Sequence, residues 1–167
     1  VVIVPHDGDE PEQEWQKQFC IHRVRYGLFT KGRLAFGMGI IPNLRRAPWR
    51  IFQAPGLLAA LAYRAIRCRA EYDITHANWI LSGIAAYIAK IVTKKPYVLT
   101  LRGEDARIIA HPIGAFLLSP VLRSATAITV VSQHLSHALP PSLRSAALCI
   151  PNGVDAKPIS RDEAMTW

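Results

Sequence analysis

At 167 residues, half of them apolar and with a mean hydropathy of +0.14, the chain carries enough apolar surface for one folded domain, and wholesale disorder is excluded. Twenty Lys and Arg against twelve Asp and Glu leave a net charge of +8, which favours anionic partners: nucleotide phosphates, acidic lipid head groups or nucleic acid. No apolar run is long enough to span a bilayer, because Arg64, Arg67 and Arg69 interrupt the longest helical candidate, and no secretory signal pattern opens the chain.

The chain begins without Met on Val1-Val2-Ile3-Val4, which reads as a short buried strand, with further sequence expected upstream. His6, Asp7, Asp9, Glu10, Glu12 and Glu14 follow in a polar stretch. No calcium-loop spacing is present among them, so this reads as a solvated acidic loop rather than a metal site. Residues 19–26 partly alternate and are rich in strand formers. Cys20, Cys68 and Cys149 are widely spaced, odd in number and set in apolar segments. With no CxxC or Cys/His metal spacing, they read as buried reduced thiols of a cytosolic protein.

From 27 to 56 the chain is broken repeatedly by Gly and Pro, so regular structure there is expected to be short. Phe36, Ile40, Leu44, Trp49 and Phe52 are interleaved with Arg45, Arg46 and Arg50. Apolar groups that insert beside cations that pair with anionic head groups suit a membrane interface. The alternative is that the apolar residues cover one end of the core and the arginines are ordinary surface. Nucleic-acid binding is set aside, since no recognised binding motif accompanies the charge.

Pro55-Gly56 leads into a helix predicted over 57–70, with Leu57, Leu58, Leu61, Ala65 and Ile66 on one face. A strand over 73–76, a helix over 79–92 and a strand over 97–101 then form a βαβ unit. Beyond Asp105 a helix is expected to break at His111-Pro112, and Ser119-Pro120 reads as the cap and first turn of a new short helix. Strands at 127–131 and 147–150 complete the alternation, with Ser132 capping a further turn of helix and Pro151-Asn152-Gly153 marking a turn. Strands alternating with helices predict an α/β fold, a Rossmann-like doubly wound parallel sheet that includes residues 1–4.

The βαβ unit is where chemistry gathers. Its first strand ends in His76, Asn78 and Trp79, its second in Arg102, Gly103, Glu104 and Asp105. Parallel strands joined by a crossover place both carboxyl ends on one edge, where open α/β sheets bind ligands. His76 reads either as a group that orients a hydroxyl or as a strand-end histidine bonded to nearby backbone. Trp79 offers a flat stacking surface, or is a core residue at a helix start. A guanidinium ahead of a glycine suits phosphate or carboxylate recognition, although Arg102 has the alternative of an ion pair with Glu104 or Asp105. Those two carboxylates are adjacent in sequence and need not converge, which weakens an acid/base pair.

Four segments stand in order: Asp73-Ile74-Thr75-His76-Ala77-Asn78-Trp79, then Pro96 through Tyr97-Val98-Leu99-Thr100-Leu101-Arg102-Gly103-Glu104-Asp105, then Leu122 through Ala125 to Val131-Ser132, then Ile150-Pro151-Asn152-Gly153-Val154-Asp155. Together they resemble the N-terminal, acceptor-side domain of family 4 (group 1) retaining glycosyltransferases of GT-B architecture. The resemblance implies one half of a GT-B fold over 1–155, with 156–167 starting an interdomain linker or tail. It implies transfer of a sugar from a nucleotide-sugar to a sugar or lipid-linked acceptor, in envelope or exopolysaccharide synthesis. It also implies no metal, no cofactor beyond the nucleotide-sugar donor as substrate, and a cytoplasmic location, peripheral to the inner face of the membrane. On it, His76, Asn78, Trp79, Arg102, Gly103, Glu104 and Asp105 bind the acceptor, Ser132, Asn152, Gly153 and Asp155 line the interdomain cleft or hinge, and Arg45, Arg46, Trp49 and Arg50 face the membrane. The first strand with its glycine-rich loop and the C-terminal donor domain are expected beyond the sequence in hand, so that the chain alone is inactive and no residue in it is assigned as catalytic. Arg102 stands where many relatives carry His. The other reading is a non-catalytic, membrane-associating binding module with the same fold.

Overall fold

The computed structural model describes residues 1–6, 10–27, 32–35, 37 and 39–153. The N-terminal third holds strands β1 (Val2–Pro5), β2 (Gln13–Gln16) and β3 (Phe19–Val24), helix α1 (Ile40–Arg46), a 3-10 turn (Pro48–Gln53) and helix α2 (Ala54–Arg67). Strand β4 (Thr75–Asn78), helix α3 (Ile80–Thr93), strand β5 (Tyr97–Leu101), helices α4 (Gly103–Ala110) and α5 (Pro112–Ser124), strand β6 (Ala127–Val130), helices α6 (Gln133–Ala138) and α7 (Pro141–Arg144) and strand β7 (Leu148–Cys149) follow.

Strands β4-β5-β6-β7 form a parallel sheet in that order, flanked by helices, as the alternation of elements predicts. Along β5 the side chains of Tyr97, Leu99 and Leu101 are buried, and Gly83 of α3 passes so near that a Cβ there would lie 2.8 Å from Leu99 Cδ1 and 3.5 Å from Val121. The Tyr97 hydroxyl donates to the Val121 carbonyl of α5, and Lys90 of α3 donates to the Ser124 carbonyl at 2.6 Å. These contacts close a core of Ile80, Leu99, Leu101, Val121, Leu122, Ile128 and Val130.

The N-terminal strand departs from expectation. Rather than joining the parallel sheet, β1 pairs in parallel with β3, and β2 pairs antiparallel on the far side of β3, giving a separate sheet of order β1-β3-β2. The apolar run does form a strand, but it is exposed to half-buried rather than buried, with Val2 39% exposed, and which edge it pairs with is a long-range choice. Helix α2 packs on α3 and touches both β1 and β3, so it spans the two sheets. It starts at Ala54, three residues ahead of the predicted 57, because Pro55 sits in its first turn, where a missing N–H costs nothing.

Three further corrections have local causes. The acidic stretch is not merely solvated: Glu10 and Glu14 lie 2.5 and 2.8 Å from Arg23, Glu12 lies 2.7 Å from Arg25, and neutralisation lets 13–16 pair as β2. Asp7 and Asp9 fall outside the described residues. The break at His111-Pro112 is present as a bend of 113°, but Ser119-Pro120 starts no new helix, since Pro120 lies inside α5. The carbonyl that Pro120 leaves without a donor belongs to Phe116, which is 79% exposed, so the lost bond falls on the solvent side of the helix. The strand predicted over 73–76 runs over 75–78, its first ladder bond being Thr75 N–H to the Pro96 carbonyl at 3.1 Å. Between 27 and 56, regular structure among the described residues is limited to α1, the 3-10 turn and the first residues of α2.

Because Leu99 is wholly buried beneath Gly83, Gly83→Val is expected to lose about 1–3 kcal/mol in urea unfolding through overpacking. An unchanged midpoint would show that α3 does not lie against β5 as described.

Candidate functional site

The β4–β5 register sets His76 opposite Val98 and Asn78 opposite Thr100, and the β5–β6 register sets Thr100 opposite Thr129. Period-two alternation puts His76, Thr100 and Thr129 on the face away from buried Leu99. There the His76 Nε2 lies 2.7 Å from Thr100 Oγ1, which lies 2.6 Å from Thr129 Oγ1, a polar row across three strands. Sequence reading placed His76 at the site but missed both threonines. The strand alternation was visible, but the register that aligns them was not.

At the carboxyl edge, the exposed Arg102 guanidinium donates to Asn78 Oδ1 at 3.4 Å. Among the described residues it meets no carboxylate at ion-pair distance, so the expected alternative of a pair with Glu104 or Asp105 is not formed; Glu104 instead sits 3.8 Å from Arg107. Gly103 opens α4, and a Cβ there would meet nothing within 4 Å. The space over the first turn of α4 is therefore open on the side that Arg102 borders.

Trp79 has a φ of 93°, a left-handed conformation that is a strained outlier for a bulky aromatic residue. It is held there by its N–H bonding the Thr100 carbonyl at 2.8 Å and by its carbonyl accepting from Gly83 N–H at 3.0 Å and Ser82 Oγ at 2.8 Å. Its half-buried ring packs against both apolar clusters, the main core and the one formed by Tyr26, Leu34, Ile40 and Leu57. The core reading of Trp79 thus describes its ring, and the strain it carries sits at the site's edge.

Asp105 is wholly buried, beneath the edge rather than lining it. Its Oδ2 accepts the Arg102 N–H at 2.7 Å and its Oδ1 the Ile80 N–H at 3.2 Å, so one carboxylate satisfies donors at the start of both α4 and α3. Burial pushes its pKa up to about 6, against the pull of the two N–H groups and the Arg102 charge.

The remaining predicted residues are more dispersed. Ser132 caps α6, its Oγ accepting from Leu135 N–H at 3.4 Å, just past the carboxyl end of β6. Asn152 and Gly153 are exposed beyond β7, and Asp155 lies outside the described residues. Arg45 and Arg46 end α1, exposed beside Trp49, Ile51 and Phe52, the last 84% exposed; Arg50 stacks 5.8 Å over Trp49. A grouping that sequence spacing did not reveal joins His22, Cys68 and Glu71, whose ligand atoms lie within 4.8 Å of one another. Arg64 bonds the Nδ1 of His22 there, and burial together with that charge lowers the His22 pKa, so a cation would enter against a guanidinium. Burial also raises the Cys68 thiol, which opposes the thiolate a metal needs.

Comparison with known proteins bears on the family and the fold. The sequence model of Glycosyltransferase Family 4 matches residues 1–157. A solved structure of sucrose-phosphate synthase from Thermosynechococcus elongatus superposes with a TM-score of 0.59 at 17% identity, over 96% of this chain and 76% of that one. At that identity the likeness is one of fold, and the fold shared is that of a GT-B glycosyltransferase. No curated protein matches.

The Asp105 shift makes a signed prediction. An unfolded aspartate titrates near 3.9 and the folded one higher, so between about pH 4 and 6 the folded state binds the extra proton. Stability is therefore expected to rise as pH falls through that window, by up to about 1 kcal/mol per unit. Asp105→Asn keeps one acceptor, leaves one backbone N–H facing an amide, and is expected to lose about 1–3 kcal/mol near neutrality and to flatten the slope. Urea midpoints of both proteins at pH 4, 5, 6 and 7 check it.

Proposed function

The chain belongs to Glycosyltransferase Family 4, and on that premise we propose that it supplies the acceptor-side wall of a cleft in which a sugar passes from a nucleotide-sugar to a sugar or lipid-linked acceptor, in envelope or exopolysaccharide synthesis. The observation that carries this reading is the convergence of Arg102, Asn78, His76 and the open space over Gly103 at the carboxyl ends of β4 and β5. Arg102 is a bidentate donor suited to an anionic group on the acceptor, and the His76–Thr100–Thr129 row offers donors and acceptors to hydroxyls. Trp79 and Asp105 act as positioning residues, the first by fixing the turn from β4 into α3 and the second by tying the starts of α3 and α4. Ser132, Asn152 and Gly153 follow the next strands on the same edge, where a donor-binding domain would close the cleft. Transfer needs donor and acceptor held together, and that positioning supplies much of the rate. Turnover is therefore proposed only with the donor domain present, without metal or further cofactor.

A second reading rests on a separate observation. Trp49, Ile51 and Phe52 are exposed in one short segment beside Arg45 and Arg46, a pattern suited to an anionic membrane surface. It fits a protein working in the cytoplasm at the inner face of the membrane on a lipid-linked acceptor, or a non-catalytic module that associates with the membrane.

Two measurements separate these. In calorimetry with phosphorylated sugar acceptors, Arg102→Ala is expected to weaken binding by about 1–3 kcal/mol, the worth of a charged hydrogen bond. Gly103→Ala is expected to keep its folding midpoint, because its Cβ enters open space, while weakening the same binding. Wild-type affinity in both variants would remove the acceptor reading. In flotation with vesicles containing acidic lipid, the protein is expected to bind more weakly as salt rises and the Trp49→Ala/Phe52→Ala variant to stay in the pellet. Equal binding to neutral vesicles would remove the membrane reading.

A further inference from the structure

Helix α2 is capped at its carboxyl end by Cys68, and the turn beyond is closed by the Glu71 N–H, which bonds the Cys68 carbonyl at 2.8 Å. That turn brings the Glu71 carboxylate onto the Cys68 thiol, which it hydrogen-bonds. On β3 the alternation turns Cys20, His22 and Val24 inward, and His22 is only 4% exposed. The His22 ring therefore meets Cys68 and Glu71, far off in sequence, with ligand atoms within 4.8 Å of one another. Among the described residues, Nε2 of His22 and Nε of Arg64 are buried without a hydrogen-bond partner. Arg64 itself bonds the Nδ1 of His22, so a cation is already held against a neutral ring at this spot.

We propose that this cluster is a structural site for a borderline-soft divalent ion, zinc(II) by its chemistry. The ligands are the His22 imidazole, the Cys68 thiolate and the Glu71 carboxylate, with water in the fourth position. Nitrogen, sulfur and oxygen donors together suit zinc, whereas calcium and magnesium take oxygen donors. A tetrahedral ion with bonds of about 2.0–2.3 Å holds its ligand atoms about 3.3–3.8 Å apart, so the cluster contracts by about 1 Å on binding. Glu71, exposed on its turn, is the side chain free to make that move. Binding is an exchange with Arg64. An ion on either ring nitrogen expels the guanidinium, because Nδ1 is then needed for the ion or for the ring proton. The divalent ion, one thiolate and one carboxylate sum to zero, so a neutral centre replaces a half-buried positive charge that leaves towards solvent. The Cys68 proton, which burial retains in the metal-free protein, passes to solvent as the sulfur binds. The site ties β3 to the end of α2 and lies ahead of β4, at the opposite end of that strand from the candidate acceptor edge, so the ion takes no part in transfer.

The test uses the full 167-residue chain after treatment with chelator, titrated with zinc(II) in calorimetry and with cobalt(II) by absorption. The expected result is one ion per chain with a Kd of about 1 μM or below, and a sulfur-to-cobalt charge-transfer band. The urea midpoint is expected to rise with zinc and to fall back with EDTA. Cys68→Ser is expected to lose the band, while Cys20→Ser, which alters the other buried thiol on this side, keeps it. Glu71→Gln changes an exposed side chain, so it is expected to fold normally and to weaken zinc binding about tenfold or more. Arg64→Met removes the competing charge and is expected to tighten binding about tenfold, the worth of one charged hydrogen bond. No stoichiometric binding, a band that survives Cys68→Ser or is lost in Cys20→Ser, wild-type zinc affinity in Glu71→Gln, or weaker binding in Arg64→Met would each overturn the proposal.

Discussion

The carboxylate of Asp105 holds the functional edge together. A helix begins with backbone N–H groups that have no partner inside it, and two helices begin here within one small volume. Asp105 takes the Ile80 N–H of α3 with one oxygen and the Arg102 N–H ahead of α4 with the other. Buried without those bonds, an ionised carboxylate would be costly; with them it fixes where each helix leaves its strand. Arg102 and Gly103 are set at the mouth of the edge because the residue three positions on is anchored beneath it. The same anchor holds the start of α3, and with it the strained turn at Trp79.

That turn connects the edge to the rest of the molecule. The Trp79 backbone is bonded to β5 and to the first turn of α3, while its ring reaches into both apolar clusters. With α2 packed on α3 and touching β1 and β3, the two sheets are held by helices and by one aromatic ring rather than by ladder bonds.

Net charge is distributed in a way that composition hides. Arg23 lies against Glu10 and Glu14, and Arg25 against Glu12, so this part of the basic excess serves to hold β2 on β3. Arg64 is drawn to His22. Among the exposed cations, Arg45 and Arg46 beside exposed Trp49 and Phe52 and Arg102 at the strand edge are the ones on which a functional reading of the charge depends.

Local pattern determined a good deal: the βαβ unit, the cap at Ser132, the break at Pro112, and the ordered segments that signal the family, all of which follow from residue spacing and turn chemistry along the chain. It also brought His76, Asn78, Arg102 and Gly103 to one edge, because parallel topology leaves carboxyl ends nowhere else to go. Choices between distant partners were not legible. Residues 1–4 read as a strand of the main sheet, yet β1 pairs with β3; Glu10 and Glu14 read as solvated, yet Arg23 gathers them; Thr100 and Thr129 carry no signal until the register aligns them beside His76. Asp105 looked like a group facing ligand and is a buried tie between helices. In each case the deciding free energy comes from a contact between segments far apart in sequence, which only the packed chain brings within hydrogen-bonding reach.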